Sequence, residues 1–204
     1  MNFLLKSISF IFHPLFMPLI GVVFYFSKSP RHLPKDLIYS KLLSLSILTI
    51  ALPILVFFLL KTLGKAQSIY LKDVKERSLP LGINCVILVI ILLRIFPNYQ
   101  IVELHFFFVA ILMSTITCFI LALLKFRASL HMTAVTGIFT FFVMIAIEYS
   151  INVNGTLALM CIITGGIATS RLYLKAHSPL ELIVGCFIGI LPQIIVINYW
   201  FPLQ

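Results

Sequence analysis

Apolar and polar residues follow one another along this chain in long blocks, not in the short periods of a helix or strand that is half exposed to water. Seven apolar runs stand out, at about Ser7 to Ser27, Leu42 to Leu60, Leu81 to Phe96, Ile101 to Leu124, Met132 to Tyr149, Thr156 to Ala168 and Pro179 to Trp200. A membrane-spanning helix needs roughly 20 apolar residues, and roughly 17 are tolerable. Every run but the sixth reaches or approaches that length unaided, and the sixth does so by taking in Thr169 to Tyr173. The pattern predicts an all-α polytopic membrane helix bundle of about seven transmembrane helices. His13-Pro14 and Pro18 interrupt the first run and predict a kink there. That run is long for the apolar stretch of a signal peptide and no small-residue cleavage site follows it, so a retained helix is expected. Pro97-Asn98-Tyr99-Gln100 makes a tight hairpin of the third and fourth runs. With no internal repeat, low-complexity tract or flexible linker, residues 1–204 read as a single integral membrane domain.

Composition supports the same class. Of the residues, 61% are hydrophobic and only 10% charged, and the mean hydropathy is +1.15, against an apolar fraction of about 45 to 50% in soluble domains. The net charge of +9 does not point to nucleic acid, because the basic residues sit in short gaps between apolar runs. That placement suits anionic headgroups or a phosphorylated substrate. Cys85, Cys118, Cys161 and Cys186 all lie inside apolar runs without the spacing of a metal site or disulfide framework, and read as small buried hydrophobes.

The order of the runs then carries a topological consequence. If all seven cross the bilayer, the gaps after the second, fourth and sixth open on one membrane face. Those gaps hold Lys72 to Arg77, Lys125 to His131, and Arg171 to Glu181, so three separate polar and basic sets converge. The last belongs to a polar island, Ser170 to Glu181, whose arginine, lysine, histidine and glutamate stand between two strongly apolar segments. Ionisable groups at the edge of a span are costly and mark functional sites. Planar guanidinium forks match the oxygens of a phosphate ester, which makes Arg77 and Arg171 the candidate phosphate ligands.

The motif Ser170-Arg171, five residues, His177, three residues, Glu181 resembles the third signature of the type 2 phosphatidic acid phosphatases, a family that includes the vanadium haloperoxidases; the family has aspartate where this chain has Glu181. Ala128-Ser129-Leu130-His131 is similar to the second signature, PSGH, and Lys72 to Pro80, KDVKERSLP, to a loosened form of the first, K, six residues, RP. Alanine and leucine replace the proline and glycine of the second signature, and Ser78 and Leu79 separate Arg77 from Pro80. The three motifs occur in family order and fall in the three converging gaps. The resemblance implies a helical membrane phosphatase in which His177 attacks phosphorus to give a phosphohistidine, His131 protonates the leaving alkoxide and then activates water, and Glu181 orients His177. It also implies phosphate binding by Arg77, Arg171, Lys72, Ser129 and Ser170. Fixed cations can stabilise phosphoryl transfer, so no metal or other cofactor is expected.

Other readings attach to the same residues. Ser178-Pro179-Leu180-Glu181 has the form of a helix start with a capping box, which alone accounts for Glu181. His131 also suits the interfacial start of the fifth helix, while His13, His32 and His105 lack partners at useful spacing and read as structural. Gly185 and Gly189, like Gly165-Gly166, fit small-residue packing faces. The expected function is hydrolysis of a phosphatidate-like or polyprenyl (pyro)phosphate monoester; the alternative is a non-catalytic protein that binds or moves anionic lipid through the same cations. A solute transporter needs a polar pathway at mid-bilayer, and the runs supply only Glu103 and Glu148, both near helix ends. The expected partners are the lipid phosphate and membrane lipids, and the expected location the bacterial inner (cytoplasmic) membrane. Basic residues favour a cytoplasmic site by the positive-inside rule, but those with catalytic candidacy carry no topological weight, which leaves the face open.

Overall fold

A computed structural model describes residues 2–64 and 74–200, with side chains from 7–64 and 77–200. The described residues form helices joined by short turns, with no strand among them, so the all-α bundle stands. In chain order the helices are α1 (Asn2–Ile11), α2 (Met17–Lys28), α3 (Lys35–Ser46), α4 (Leu52–Thr62), α5 (Val74–Ile90), α6 (Val102–Leu123), α7 (Leu130–Glu148), α8 (Asn154–Tyr173) and α9 (Pro179–Trp200). A π-turn, Ile47–Ala51, joins α3 to α4, so the two make one continuous helix, Lys35–Thr62. The turn lies just ahead of Pro53, whose ring nitrogen cannot donate to the helical ladder.

Six helices are long and apolar enough to cross a membrane: Lys35–Thr62, Arg77–Ile95 and α6 to α9. The first apolar run behaves differently from a kinked span. It is cut into α1 and α2 by the turn at Phe12–Phe16, and neither piece alone has the length to cross. The proline after His13 pushes the chain out of the helical region, and Pro18 restarts it in the first turn of α2. α2 still carries the chain from one end of the bundle to the other. His13 stands beside His131 at the start of α7, and the Tyr25 hydroxyl lies 3.5 Å from that of Tyr149, just past the end of α7.

The two ends differ in chemistry. At the end where α2, α5, α7 and α9 finish, Glu103 is buried and accepts from Arg31 Nη2 at 2.7 Å, from the Tyr149 hydroxyl at 2.9 Å and from the Tyr25 hydroxyl at 3.2 Å. This satisfied carboxylate ties the α2–α3 turn to α6 and α7. Nearby, the buried ammonium of Lys41 donates to the Ile95 carbonyl and, at 2.7 Å, to Gln100 Oε1, and so caps the π-turn Ile91–Ile95 that continues α5 to the end of its span. Between this end and the middle of the bundle, Phe107 stacks on Phe141 at 4.2 Å and Phe24 on Phe142 at 3.7 Å.

The other end is organised by the crossing of α7 and α9. A methyl group added at Gly185 would lie 2.8 Å from the Ser129 carbonyl, and one at Gly189 would overlap the Thr133 carbonyl and the Thr136 hydroxyl. Only hydrogen fits at either point. The hydroxyls of Thr133 and Thr136 donate across the crossing to the carbonyls of Gly185, at 3.1 Å, and Cys186, at 3.2 Å. One turn below, Pro192 cannot donate to the Ile188 carbonyl, and the Ser114 hydroxyl on α6 does so instead at 2.8 Å. The expected small-residue face at Gly185 and Gly189 is therefore present. Gly166 meets Ile8 of α1, whereas Gly165 faces nothing within 4 Å. Replacing Gly189 with alanine should destabilise the bundle by about 1 to 3 kcal/mol through overpacking. Gly165→Ala should leave stability within about 0.5 kcal/mol, as surface changes do. Thermal unfolding in detergent checks the pair, and equal midpoints for the two variants would contradict the crossing.

Candidate active site

The chain leaves α6 and α8 in the same way. After Leu124 and after Leu174, a lysine in the left-handed region, Lys125 at φ 64° and Lys175 at φ 50°, turns the backbone, and the next amide bonds back to the helix: Phe126 to the Leu121 carbonyl at 2.8 Å, Ala176 to that of Arg171 at 3.0 Å. Both turns fold over the α7–α9 crossing and join there. Arg127 Nη2 donates to the Ala176 carbonyl at 2.8 Å, and the Ser129 amide donates to the Glu181 carbonyl at 3.1 Å. Two of the three motif-bearing gaps are thus hydrogen-bonded to each other on one face of the bundle, as the order of the apolar runs requires. Of the third gap, Arg77 is present at the start of its span, while Lys72 lies outside the described residues.

Glu181 serves both purposes that the sequence offered for it. Its Oε2 accepts from the Ser178 amide at 3.1 Å while the Ser178 hydroxyl accepts from the Glu181 amide at 3.3 Å, a capping box at the start of α9. The same Oε2 lies 2.8 Å from His177 Nδ1. A carboxylate accepts, so Nδ1 carries the proton and Nε2 is left with its lone pair. The other oxygen, Oε1, lies 3.8 Å from Arg127 Nε. The His177 side chain is almost wholly buried, and burial lowers its pKa below the usual histidine range; Arg77 and Arg127 push the same way, against the hydrogen bond and charge of Glu181. Burial and the two guanidiniums favour the neutral imidazole, whose Nε2 then carries a lone pair.

His131 stands on the first turn of α7, within electrostatic reach of His177, Arg171 and His13. Its Nε2 lies 3.2 Å from the carbonyl of Ser9, and its ring meets that of His13 edge to face, with centroids 5.3 Å apart. Ser129 and Ser170 are fully buried. Ser129 caps α7, its hydroxyl accepting from the Met132 amide, and the Ser170 hydroxyl pairs with that of Ser9 at 2.6 Å. Both serines thus act first as fasteners of the elements that carry the charged groups. Arg171, on the last turn of α8, reaches His13 and His131 with its charge. Among the described residues no group of three or more His, Cys, Asp or Glu side chains is placed to hold a metal ion.

Two participants escape the sequence reading. Arg127 counts there only as a basic residue of the gap, although it stands two positions before Ser129 in a gap already chosen for its chemistry. His13 reads as structural because the partner that gives it meaning, His131, is far away in sequence. Its one signal is position, a histidine at the proline break of an apolar run. Comparison of the chain with family models, with curated proteins and with solved structures gives no match.

The arrangement fixes the sign of a titration. Replacing Glu181 with glutamine keeps an oxygen acceptor for Nδ1 but removes the one influence of negative charge on His177, leaving burial, Arg77 and Arg127 to lower its pKa. NMR titration of the His177 ring should give a midpoint below 6.5, the ordinary histidine value, and a lower one still in Glu181→Gln. A midpoint that rises in the variant would contradict the pairing.

Proposed function

We propose that this protein is a membrane lipid phosphate phosphatase that works through a phosphohistidine, with the phosphate ester of a phosphatidate-like or polyprenyl lipid as substrate. The reading is carried by one observation, the His177–Glu181 pair at 2.8 Å set among Arg77 and Arg127 on the face that also holds His131 and Arg171. The resemblance of the three motifs to the type 2 phosphatidic acid phosphatases supports it independently of the geometry.

The chemistry follows from the two tautomers. His177 Nε2 gives its lone pair to phosphorus while the bond from phosphorus to the lipid oxygen breaks, and Nδ1 keeps its proton on Glu181 as positive charge builds on the ring. His131, protonated on Nδ1, passes that proton to the departing alkoxide, and lipid alcohol leaves. A water then attacks phosphorus, His131 Nδ1 takes its proton, and the nitrogen–phosphorus bond breaks to release inorganic phosphate and restore His177. Arg77, Arg127 and Arg171 neutralise the oxygens throughout, and the negative charge they gather lets His131 carry its second proton. The lipid tail has a route that avoids water: a groove of ≈ 380 Å³ between α5 and α6 runs from Ser78, next to Arg77, along Gly82 to Val86 and Phe119. The location that goes with this reading is a bacterial inner (cytoplasmic) membrane.

Phosphate release from a panel of lipid phosphates, in detergent with excess chelator, tests the proposal. His177→Ala should abolish release while lipid binding persists, and His131→Ala should slow it by about 10²- to 10⁴-fold. Binding of the lipids with no release from the unaltered protein would instead favour a non-catalytic anionic-lipid binder, which needs the guanidiniums but not the imidazoles.

A further inference from the structure

The break in the first apolar run lies at the mouth of the site. α1 docks on α8 through the Ser9–Ser170 hydroxyl pair and through Ile8 against Gly166, and this brings the carbonyl of Ser9 and the ring of His13 to His131. A carbonyl oxygen has no proton to give, so the 3.2 Å contact to Ser9 puts the proton of neutral His131 on Nε2 and leaves Nδ1 open. One such bond anchors a single atom of the ring and leaves it free to swing. The ring of His13, at 82° to that of His131, blocks the swing. His13 is itself anchored, since its Nδ1 accepts the Leu15 amide at 3.3 Å within the turn that the prolines enforce.

We propose that His13 is a positioning residue of this site: its ring, packed edge to face on His131, acts with the Ser9 carbonyl to hold His131 as the Nε2–H tautomer with Nδ1 available for proton transfer. The catalytic consequence rests on the phosphatase reading; the tautomer and its dependence on His13 do not. His13 acts through His131 and touches no reacting atom, so its effect must vanish when His131 is gone.

Two variants separate ring from nitrogen. His13→Asn keeps an acceptor for the Leu15 amide but removes the ring, and His13→Phe keeps a ring but no nitrogen. Nitrogen-15 NMR of the full chain in detergent should show His131 protonated on Nε2 in the unaltered protein and in His13→Phe, and a mixture of tautomers in His13→Asn. With a lipid phosphate as substrate, His13→Asn should lower kcat by about 10²-fold, the cost of a misplaced catalytic group, with KM within about threefold. His13→Phe should recover most of the loss. In a His131→Ala background His13→Asn should cost no more than about twofold further, because coupled residues are not additive. Protonation of His131 on Nδ1 in the unaltered protein, an unchanged tautomer in His13→Asn, or losses that multiply in the double variant would each overturn the proposal. Absence of any His177-dependent phosphate release would instead remove the phosphatase reading, and the NMR result would still decide the role of His13.

Discussion

The closeness of α7 and α9 is the constraint on which the rest depends. Hydrocarbon tails are as apolar as leucine, so nothing squeezes two membrane helices together except contact itself, and contact is best where side chains are absent. Gly185 and Gly189 let α9 lie against the Ser129 and Thr133 carbonyls, and the Thr133 and Thr136 hydroxyls bond across the gap. Because these contacts lie in the N-terminal halves of both helices, the groups borne at the starts of α7 and α9 are brought to the same end of the bundle. His131, on the first turn of α7, and His177, just ahead of α9, are far apart in sequence, yet the segments that carry them are joined by the Arg127–Ala176 and Ser129–Glu181 bonds.

Among the described residues, cations outnumber acids at that end. Arg77 and Arg127 act on His177 beside Glu181, whose two oxygens are shared between His177, the Ser178 amide and Arg127, while Arg171 and His13 act on His131. The opposite end shows the contrast. There Glu103 receives one guanidinium and two phenols, and the ammonium of Lys41 is bonded to a carbonyl and an amide oxygen. One end ties helices together through a shared carboxylate and a shared ammonium, while the other gathers guanidiniums and imidazoles beside Glu181.

Much of this was legible in the sequence because membrane helices report themselves through length and hydropathy. Six spans fall on the expected runs, and the ordering of those runs placed the Lys125–His131 and Arg171–Glu181 gaps on one face. The capping box at Ser178 and the pairing of Glu181 with His177 presented themselves as rivals, and the structure uses one carboxylate oxygen for both. The first run was less legible. Prolines predicted a kink, but whether a kink becomes a break depends on what receives the pieces, and α1 is received by α8 through Ser9–Ser170, 161 residues apart. The burial of Glu103 and Lys41 escaped for the same reason, since a charge near a helix end looks alike whether it faces water or a partner on another helix.

The central claim is that distant loops assemble one nucleophilic imidazole, held by Glu181 and surrounded by guanidiniums, for attack on phosphorus. Rapid mixing of the detergent-solubilised protein with a lipid phosphate labelled in its phosphoryl group, quenched in alkali and followed by peptide mapping, tests it directly. The account expects a transient, acid-labile and base-stable label on the peptide that contains His177, appearing before free phosphate. Release of phosphate with no label on His177, or with the label on another side chain, would contradict it.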